Sequence, residues 1–297
     1  MTAFFNPIIK HKYTADPTVI SYGDRVYLYT GHDDPPPGVD DYVMNDWCCF
    51  SSNDLMNWEE HPTPLKATDF SWASGDAFAS NVVCRDHIFY WYVAVSHRSI
   101  FGKAIGVAVS NRPTGPFTDA KGSALITGDM LPCPTTEKAN LDPSVVIDDI
   151  GQAYLFWGNT TCYYAKLKAN MIELDSDIQV VNVPAFGEGA HVFKRNGWYY
   201  LMYGYGFPED IAYAMSPTVH GPWDFKGVIN KMPYNCETNR AATLDFQGKS
   251  YFFYHNGALE GGGSHRRSVC LNSLYYRSDG TIEPIIMTRE GITADEG

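Results

Sequence analysis

One pattern recurs five times along this chain: an apolar strand, a tight turn, then a strand rich in aromatic residues. The copies begin at residues 16, 79, 142, 188 and 239, between 46 and 63 residues apart. The first reads Asp16-Pro17-Thr18-Val19-Ile20, turns at Gly23-Asp24 and returns through Val26-Tyr27-Leu28-Tyr29. The second joins 79–83 to 88–92 through Arg85-Asp86, and the third joins 142–147 to 153–157 through Asp149-Ile150-Gly151. In the fourth, Glu188 sits between Gly187 and Gly189, ahead of a hairpin turn at Arg195-Asn196-Gly197. The fifth joins 239–244 to 251–254 through Gln247-Gly248. A lone hairpin cannot bury its apolar face, so repeats at this interval predict stacked or radial β units.

A third strand is expected after the hairpins, at 47–50, 104–109, 163–167, 211–214 and 268–271. A fourth, outer strand is expected in each unit. Five four-stranded sheets around one axis make an all-β, five-bladed β-propeller. The rival all-β arrangement is a large sandwich, and the near-equivalence of the repeats favours the propeller. No stretch reads as an interdomain linker, and Pro35-Pro36-Pro37-Gly38 is short enough for a loop. Residues 1–297 are therefore expected to form a single domain.

Composition narrows the partners. The chain carries 22 basic and 34 acidic residues, a formal charge of −12, with no basic stripe. Nucleic acid and anionic membrane surfaces are thereby disfavoured. No apolar run reaches the ~20 residues that span a bilayer. The start, Met1 to Pro7, lacks a basic region followed by an apolar core, so no signal peptide is read. The seven cysteines form no C-x-x-C pair and read as buried, reduced thiols. Together these features predict a cytoplasmic protein, although the mature part of an exported one would read the same.

The carboxylates carry the chemistry. In a propeller the innermost strands line a central channel, and their first residues gather at one mouth. Asp16, Asp142 and Glu188 occupy that place in blades 1, 3 and 4, with Asn81 and Asn239 near the matching places in blades 2 and 5. Three converging carboxyls suit acid/base work on a neutral polar substrate. Glycoside hydrolysis needs one carboxylic acid to protonate the leaving oxygen and one carboxylate to activate water or attack. Crowding of like charges raises a carboxyl pKa, so one member can stay protonated near neutrality. A structural cation site, or separate strand-end turns, would also place acids here.

The chain resembles glycoside hydrolase family 43. The motifs are Asn6-Pro7-Ile8 leading to Ala15-Asp16-Pro17-Thr18, then Leu141-Asp142-Pro143-Ser144, then Gly187-Glu188-Gly189-Ala190-His191, with Tyr251-Phe252-Phe253-Tyr254-His255-Asn256-Gly257 and Arg266-Arg267-Ser268. The resemblance implies an inverting mechanism. It makes Asp16 the general base, Glu188 the general acid and Asp142 the residue that orients Glu188 and tunes its pKa. It also implies that Arg267, rather than Arg266, contacts sugar hydroxyls. Where many members have Trp-Ala-Pro-Asp this chain has Phe78-Ala79-Ser80-Asn81, so Phe78 is the candidate wall of the sugar pocket. Arg240 stands where many members have a histidine near the channel. The resemblance further implies a structural calcium or a water cluster in the channel beside His255.

His32, Asp33 and Asn159 follow the second strands of blades 1 and 3, near the expected mouth, where Asp33 and Asn159 are candidate substrate contacts. Trp72 lies in a loop flanked by Ser and Gly, where its face could stack on a sugar. The expected activity is removal of arabinofuranosyl groups, with β-xylosidase activity second, from arabinose- or xylose-containing oligosaccharides of plant hemicellulose. Endo-arabinanase or galactanase action, and a sugar-binding propeller without catalysis, are the alternatives. Loops 33–46, 127–139 and 260–265 are expected to set specificity.

Overall fold

The computed structural model describes residues 5–133 and 136–292. The first four residues, part of the leader reading, and residues 134–135 of one specificity loop lie outside the described residues, as do 293–297. Among the described residues the strands form five antiparallel sheets, each built from consecutive chain. Blade 1 holds Thr14–Tyr22, Arg25–His32 and Asp46–Ser52, edged by Glu59–Glu60 and Leu65–Lys66. Blade 2 holds Ser80–Arg85, Ile88–His97, Lys103–Ser110 and Thr118–Asp119, with Ala73–Gly75 paired to its second strand. Blade 3 runs Ser144–Ile147, Ala153–Asn159, Thr161–Lys166 and Gln179–Val181. Blade 4 runs His191–Arg195, Trp198–Tyr205, Asp210–Ser216 and Asp224–Asn230. This is the five-bladed propeller expected from the repeats.

Blade 5 departs from the four-strand expectation. It has only Ala242–Phe246, Lys249–Asn256 and Ser268–Leu274 among the described residues. The start of the chain covers the edge instead. Ile8 N–H donates to Val269 O at 2.9 Å. Asn6 accepts from Leu271 N–H through Oδ1 and donates to Leu271 O through Nδ2. An open strand edge presents unpaired polar groups, and here the two ends of the chain satisfy each other and close the ring.

The aromatic second strands make the seams. Each blade buries both faces against its neighbours, so these strands are continuous apolar runs rather than alternating ones. Phe89 to Val95 are all buried in succession. Apolar clusters join the blades in order: Tyr29 and Trp91 between blades 1 and 2, Tyr92 and Trp157 between 2 and 3, Phe156 and Tyr203 between 3 and 4. Tyr213 and Tyr254 join blades 4 and 5, and Phe50 and Phe253 join 5 back to 1. Burying one such ring is worth about 1.5–3 kcal/mol, so the seams hold the ring together. The cysteines are unpaired; five are buried, but Cys84 is only partly so and Cys133 is exposed, which corrects the expectation that all are buried.

Candidate active site

The backbone aims the carboxyls. Asp16 and Asp142 both adopt left-handed conformations, with φ of 50° and 58°. Few residues other than glycine tolerate that region, and aspartate is one of them. In blade 1 the ladder register breaks between Ala15 and Thr18, so Asp16-Pro17 bulges out of the strand. A bulge re-aims a side chain, here towards the mouth of the channel. Glu188 is placed differently. Gly187 N–H donates to Gly204 O, and Gly204 N–H donates to Glu188 O, both at 2.8 Å. Gly189 N–H then donates to Asp142 Oδ2 at 2.7 Å. The carboxylate of blade 3 thus grips the peptide next to Glu188 in blade 4.

These groups face one cavity of about 450 Å³, within the range of small-molecule sites. Asp16, Asp142, Glu188, Arg267, Phe78 and Asn159 all line it. Arg267 is locked from behind: Nε lies 2.9 Å from Asp33 Oδ2, Nη2 2.9 Å from Asp33 Oδ1, and the backbone N–H donates to Asp33 Oδ2 at 2.8 Å. Its Nη1 reaches Asp16 Oδ1 at 3.1 Å, and the guanidinium lies over the Tyr42 ring at 5.0 Å.

The electrostatics separate the carboxyls. Burial alone would raise Asp16, but Arg267 and Arg240 outweigh it and hold this carboxyl below its ordinary value. Enclosure, then the charge of Asp142, pushes Glu188 up to about 7, against the donor Asn159 Nδ2 at 2.7 Å. Burial leaves Asp142 raised despite Arg240, whose Nη1 is 2.8 Å from Asp142 Oδ1. Below about pH 7 the cavity therefore holds an ionised Asp16 and a protonated Glu188.

Other expected residues fall elsewhere. Asp33 is buried behind Arg267 and does not line the cavity, so it positions the arginine rather than contacting a ligand. His32 Nδ1 lies 2.7 Å from Asp46 Oδ1, outside the cavity lining. Trp72 is a correction. Its Nε1 donates to Asp119 Oδ2, and its ring stacks on His97 with centroids 5.5 Å apart. The indole packs onto blade 2 over Gly106, where a Cβ would come within 2.7 Å of it, and so cannot face a sugar. Phe78 does wall the cavity, with Lys103 Nζ 4.5 Å from its ring centroid. Asn81 binds blades 1 and 3 through Thr18 Oγ1 and Val145 N–H, and Asn239 donates its side-chain amide to Asn230 Oδ1. Arg266 points away and donates to the carbonyls of Pro36 and Val39, holding loop 33–46.

The channel residues do not fit a calcium ion. Asp16 N–H donates to His255 Nδ1 at 3.2 Å, so that nitrogen is the acceptor and Nε2 carries the proton that Thr238 O accepts at 3.0 Å. No ring lone pair of His255 remains for a metal. Arg240 reaches across the axis from blade 5, with Nη2 3.2 Å from Pro143 O and 3.4 Å from Ser80 O. A buried guanidinium stands where oxygen ligands would be needed. Among the described residues no group of three or more His, Cys, Asp or Glu side chains could hold a metal.

Several lining residues carry no mark in the sequence. Tyr42, Lys138, Phe207, Glu209, Thr238 and His265 complete the wall. Tyr42 and His265 could have been sought in loops 33–46 and 260–265. They meet edge to face at 4.5 Å, and His265 Nδ1 lies 2.8 Å from Asp40 Oδ1. Glu209 had no such signal.

The chain is 29% identical to the arabinoxylan arabinofuranohydrolase of Paenibacillus polymyxa over 97% of its own length, and spans about half (52%) of that relative. Among solved structures it is similar to an α-L-arabinofuranosidase from Clostridium thermocellum, at TM-score 0.79 and 32% identity, covering 97% of this chain and 98% of that one. It is also similar to a β-xylosidase/α-arabinofuranosidase from a compost microbial metagenome, solved with xylotriose in a calcium-free form, at TM-score 0.84 and 26% identity, covering 94% and 96%. The family model described as glycosyl hydrolases family 43 matches residues 4–282, and with nearly the whole chain inside that match the protein belongs to family 43 of the glycoside hydrolases.

Proposed function

We propose that the chain is an inverting exo-glycosidase that removes arabinofuranosyl groups, and secondarily xylosyl groups, from plant hemicellulose oligosaccharides. The observation that carries this reading is that Asp16, paired with Arg267, and Glu188, enclosed beside Asp142, face one cavity in surroundings that favour opposite protonation states. Ionised Asp16 takes a proton from a water, whose oxygen attacks the anomeric carbon. Glu188 gives its proton to the departing glycosidic oxygen, and the C–O bond breaks as the new one forms. Asp142 fixes the acid through Gly189 and favours its protonated state by charge. Arg267 holds Asp16 ionised and presents its guanidinium to sugar hydroxyls.

Exo action is supported by the mouth. The contacts of His265 with Tyr42 and Asp40 tie loops 33–46 and 260–265 together and wall one side of the cavity. A pocket walled in this way suits a chain end. An endo-acting arabinanase or galactanase would need a through-going groove. Both sugars are named among the relatives, one as a xylosidase/arabinosidase, and their hydroxyl patterns are similar enough for one pocket.

The test is hydrolysis of aryl α-L-arabinofuranoside and aryl β-xyloside, with Asp16→Ala as control. Activity on either sugar that vanishes in the variant is expected. Folded protein silent on both, yet active on arabinan or galactan, would overturn the exo reading; NMR showing a retained anomer in the first product would overturn inversion.

A further inference from the structure

Glu209 closes the turn just before the third strand of blade 4 and is 3% exposed, yet it lines the cavity. Its Oε2 accepts from Asn239 N–H at 2.9 Å, and its own N–H donates to Glu237 O at 2.8 Å. Two glycines make room for its carboxyl. A Cβ on Gly204 would come within 2.8 Å of Glu209 Cδ, and a Cβ on Gly187 within 3.3 Å of Oε1. Those are the glycines whose peptides bracket Glu188, so the Glu209 carboxyl lies against the segment that carries the acid. Among the described residues no cation pairs with it and no donor reaches Oε1.

We propose that Glu209 is a sugar-contacting residue, donating a hydrogen bond from its free oxygen to a hydroxyl of the bound glycosyl group and so helping to set which sugar the pocket accepts. The inference rests on the glycosidase reading above. A carboxyl buried without a cation stays neutral, because the charged form loses its water without compensation. Burial, then the nearby Glu188, pushes Glu209 up to about 9. Asp142 and Asp16 act in the same direction. Lys138, Glu237 and His265 also line the cavity, while the adjacent Asp210 turns outward to Lys231 at 2.8 Å. A neutral carboxyl has one O–H to donate and one oxygen to accept. With Oε2 held by Asn239, the hydroxyl belongs on Oε1, beside the cavity. Such a group suits a neutral, hydroxyl-rich ligand and leaves no naked charge in a dry wall.

The experiment measures binding of free D-xylose and L-arabinose by ligand-observed NMR from pH 6 to pH 10, with wild type and Glu209→Gln compared and folding followed by circular dichroism. The wild type is expected to lose affinity about five- to tenfold as Glu209 ionises above neutrality. Glu209→Gln keeps an acceptor for Asn239 and a donor for the sugar but cannot ionise, so its affinity stays level between pH 8 and pH 10, above the transition of Glu188, and the comparison is made in that interval. Glu209→Ala is expected to raise KM with kcat little changed. An alkaline loss of the same size in Glu209→Gln, or a lowered melting temperature in Glu209→Ala with no change in KM, would overturn the assignment while leaving the glycosidase reading intact. A wild type that binds neither pentose at any pH and hydrolyses neither aryl glycoside would remove both.

Discussion

Asn159 Nδ2 stands 2.7 Å from Glu188 Oε2, and this contact opposes the other forces on the acid. A donor to a carboxylate favours its charged form, whereas enclosure and Asp142 favour the neutral one. The rate profile, kcat/KM against pH, is therefore expected to fall on its alkaline side near pH 7 as Glu188 loses its proton. In Asn159→Ala that limb should move to higher pH by about one unit. A limb that stays in place, or moves down, would remove Glu188 as the titrating acid.

Deleting the acid should depend on the leaving group. Glu188→Ala is expected to lose about a hundred- to ten-thousand-fold in kcat on a glycoside with a poor leaving group. An activated aryl glycoside needs little protonation and should lose far less. Rates on a series of aryl glycosides of graded leaving-group pKa give the check. Equal losses across the series would mean that Glu188 does something other than donate a proton.

Arg240 supplies a fixed positive charge in the channel, so chelation should be without effect. Neither the hydrolysis rate nor the melting temperature is expected to change with EDTA or added calcium. Arg240→Leu would strand Asp142 as a buried, unpaired carboxyl, a loss of about 3–5 kcal/mol by the usual cost of breaking such a pair. Thermal melts of wild type with and without EDTA, beside the variant, decide the matter. A melting temperature that drops with EDTA in wild type would show that a metal binds despite the guanidinium.

Arg267→Lys would be a severe change despite keeping the charge. A lysine cannot hold both oxygens of Asp33 and also reach Asp16. The carboxyl of Asp16 would then rise from its lowered value, moving the acidic limb of the rate profile to higher pH. A loss of about a hundredfold in kcat/KM is expected. A profile with an unmoved acidic limb would show that Arg267 does not hold the base.

Above neutrality, stability should fall as pH rises. Glu188 and Glu209 titrate from an ordinary value of 4.5 to about 7 and about 9 in the folded chain. Between those limits the folded chain keeps protons that the unfolded chain has released, so rising pH favours unfolding. The stabilising protons are fully held below about 4.5 and lost as pH passes 7 and then 9. His191 and His255, held neutral by enclosure, act in the opposite sense below about 6.5, so the urea midpoint is expected to fall from pH 7 to pH 9.5, and to fall less in Glu209→Gln. A midpoint equally pH-dependent in both proteins would count against a buried neutral Glu209.

How far the sequence could be read differs residue by residue. Asp16, Asp142 and Glu188 were legible because each begins an inner strand of a repeat, and repetition alone brings such positions to one mouth. Trp72 misled because Ser and Gly around an indole suggest exposure, whereas His97, Asp119 and the bare backbone of Gly106 make a seat for it on blade 2. Asp33 was read as a contact and is instead the clamp behind Arg267, since two residues separated by most of the chain meet only when the ring exists. Glu209 was invisible because its role depends on what is missing, the Cβ atoms of Gly187, in the loop before blade 4, and of Gly204, in its second strand. That blade 5 has three strands among the described residues could not be foreseen from the repeat, because its edge is covered by residues 6–8 from before blade 1.

That closure joins the first blade to the last, and the 3.1 Å pair between Asp16 and Arg267 spans the same seam. Asp16 is made with blade 1; its counter-ion, and the His255 nitrogen that accepts its N–H, arrive only with blade 5. A nascent chain stopped after blade 4 would carry Glu188 and Asp142 but no ion-paired base. The proposed base is thus complete only once blade 5 has been made, and a partial product that stops before Arg267 lacks its counter-ion.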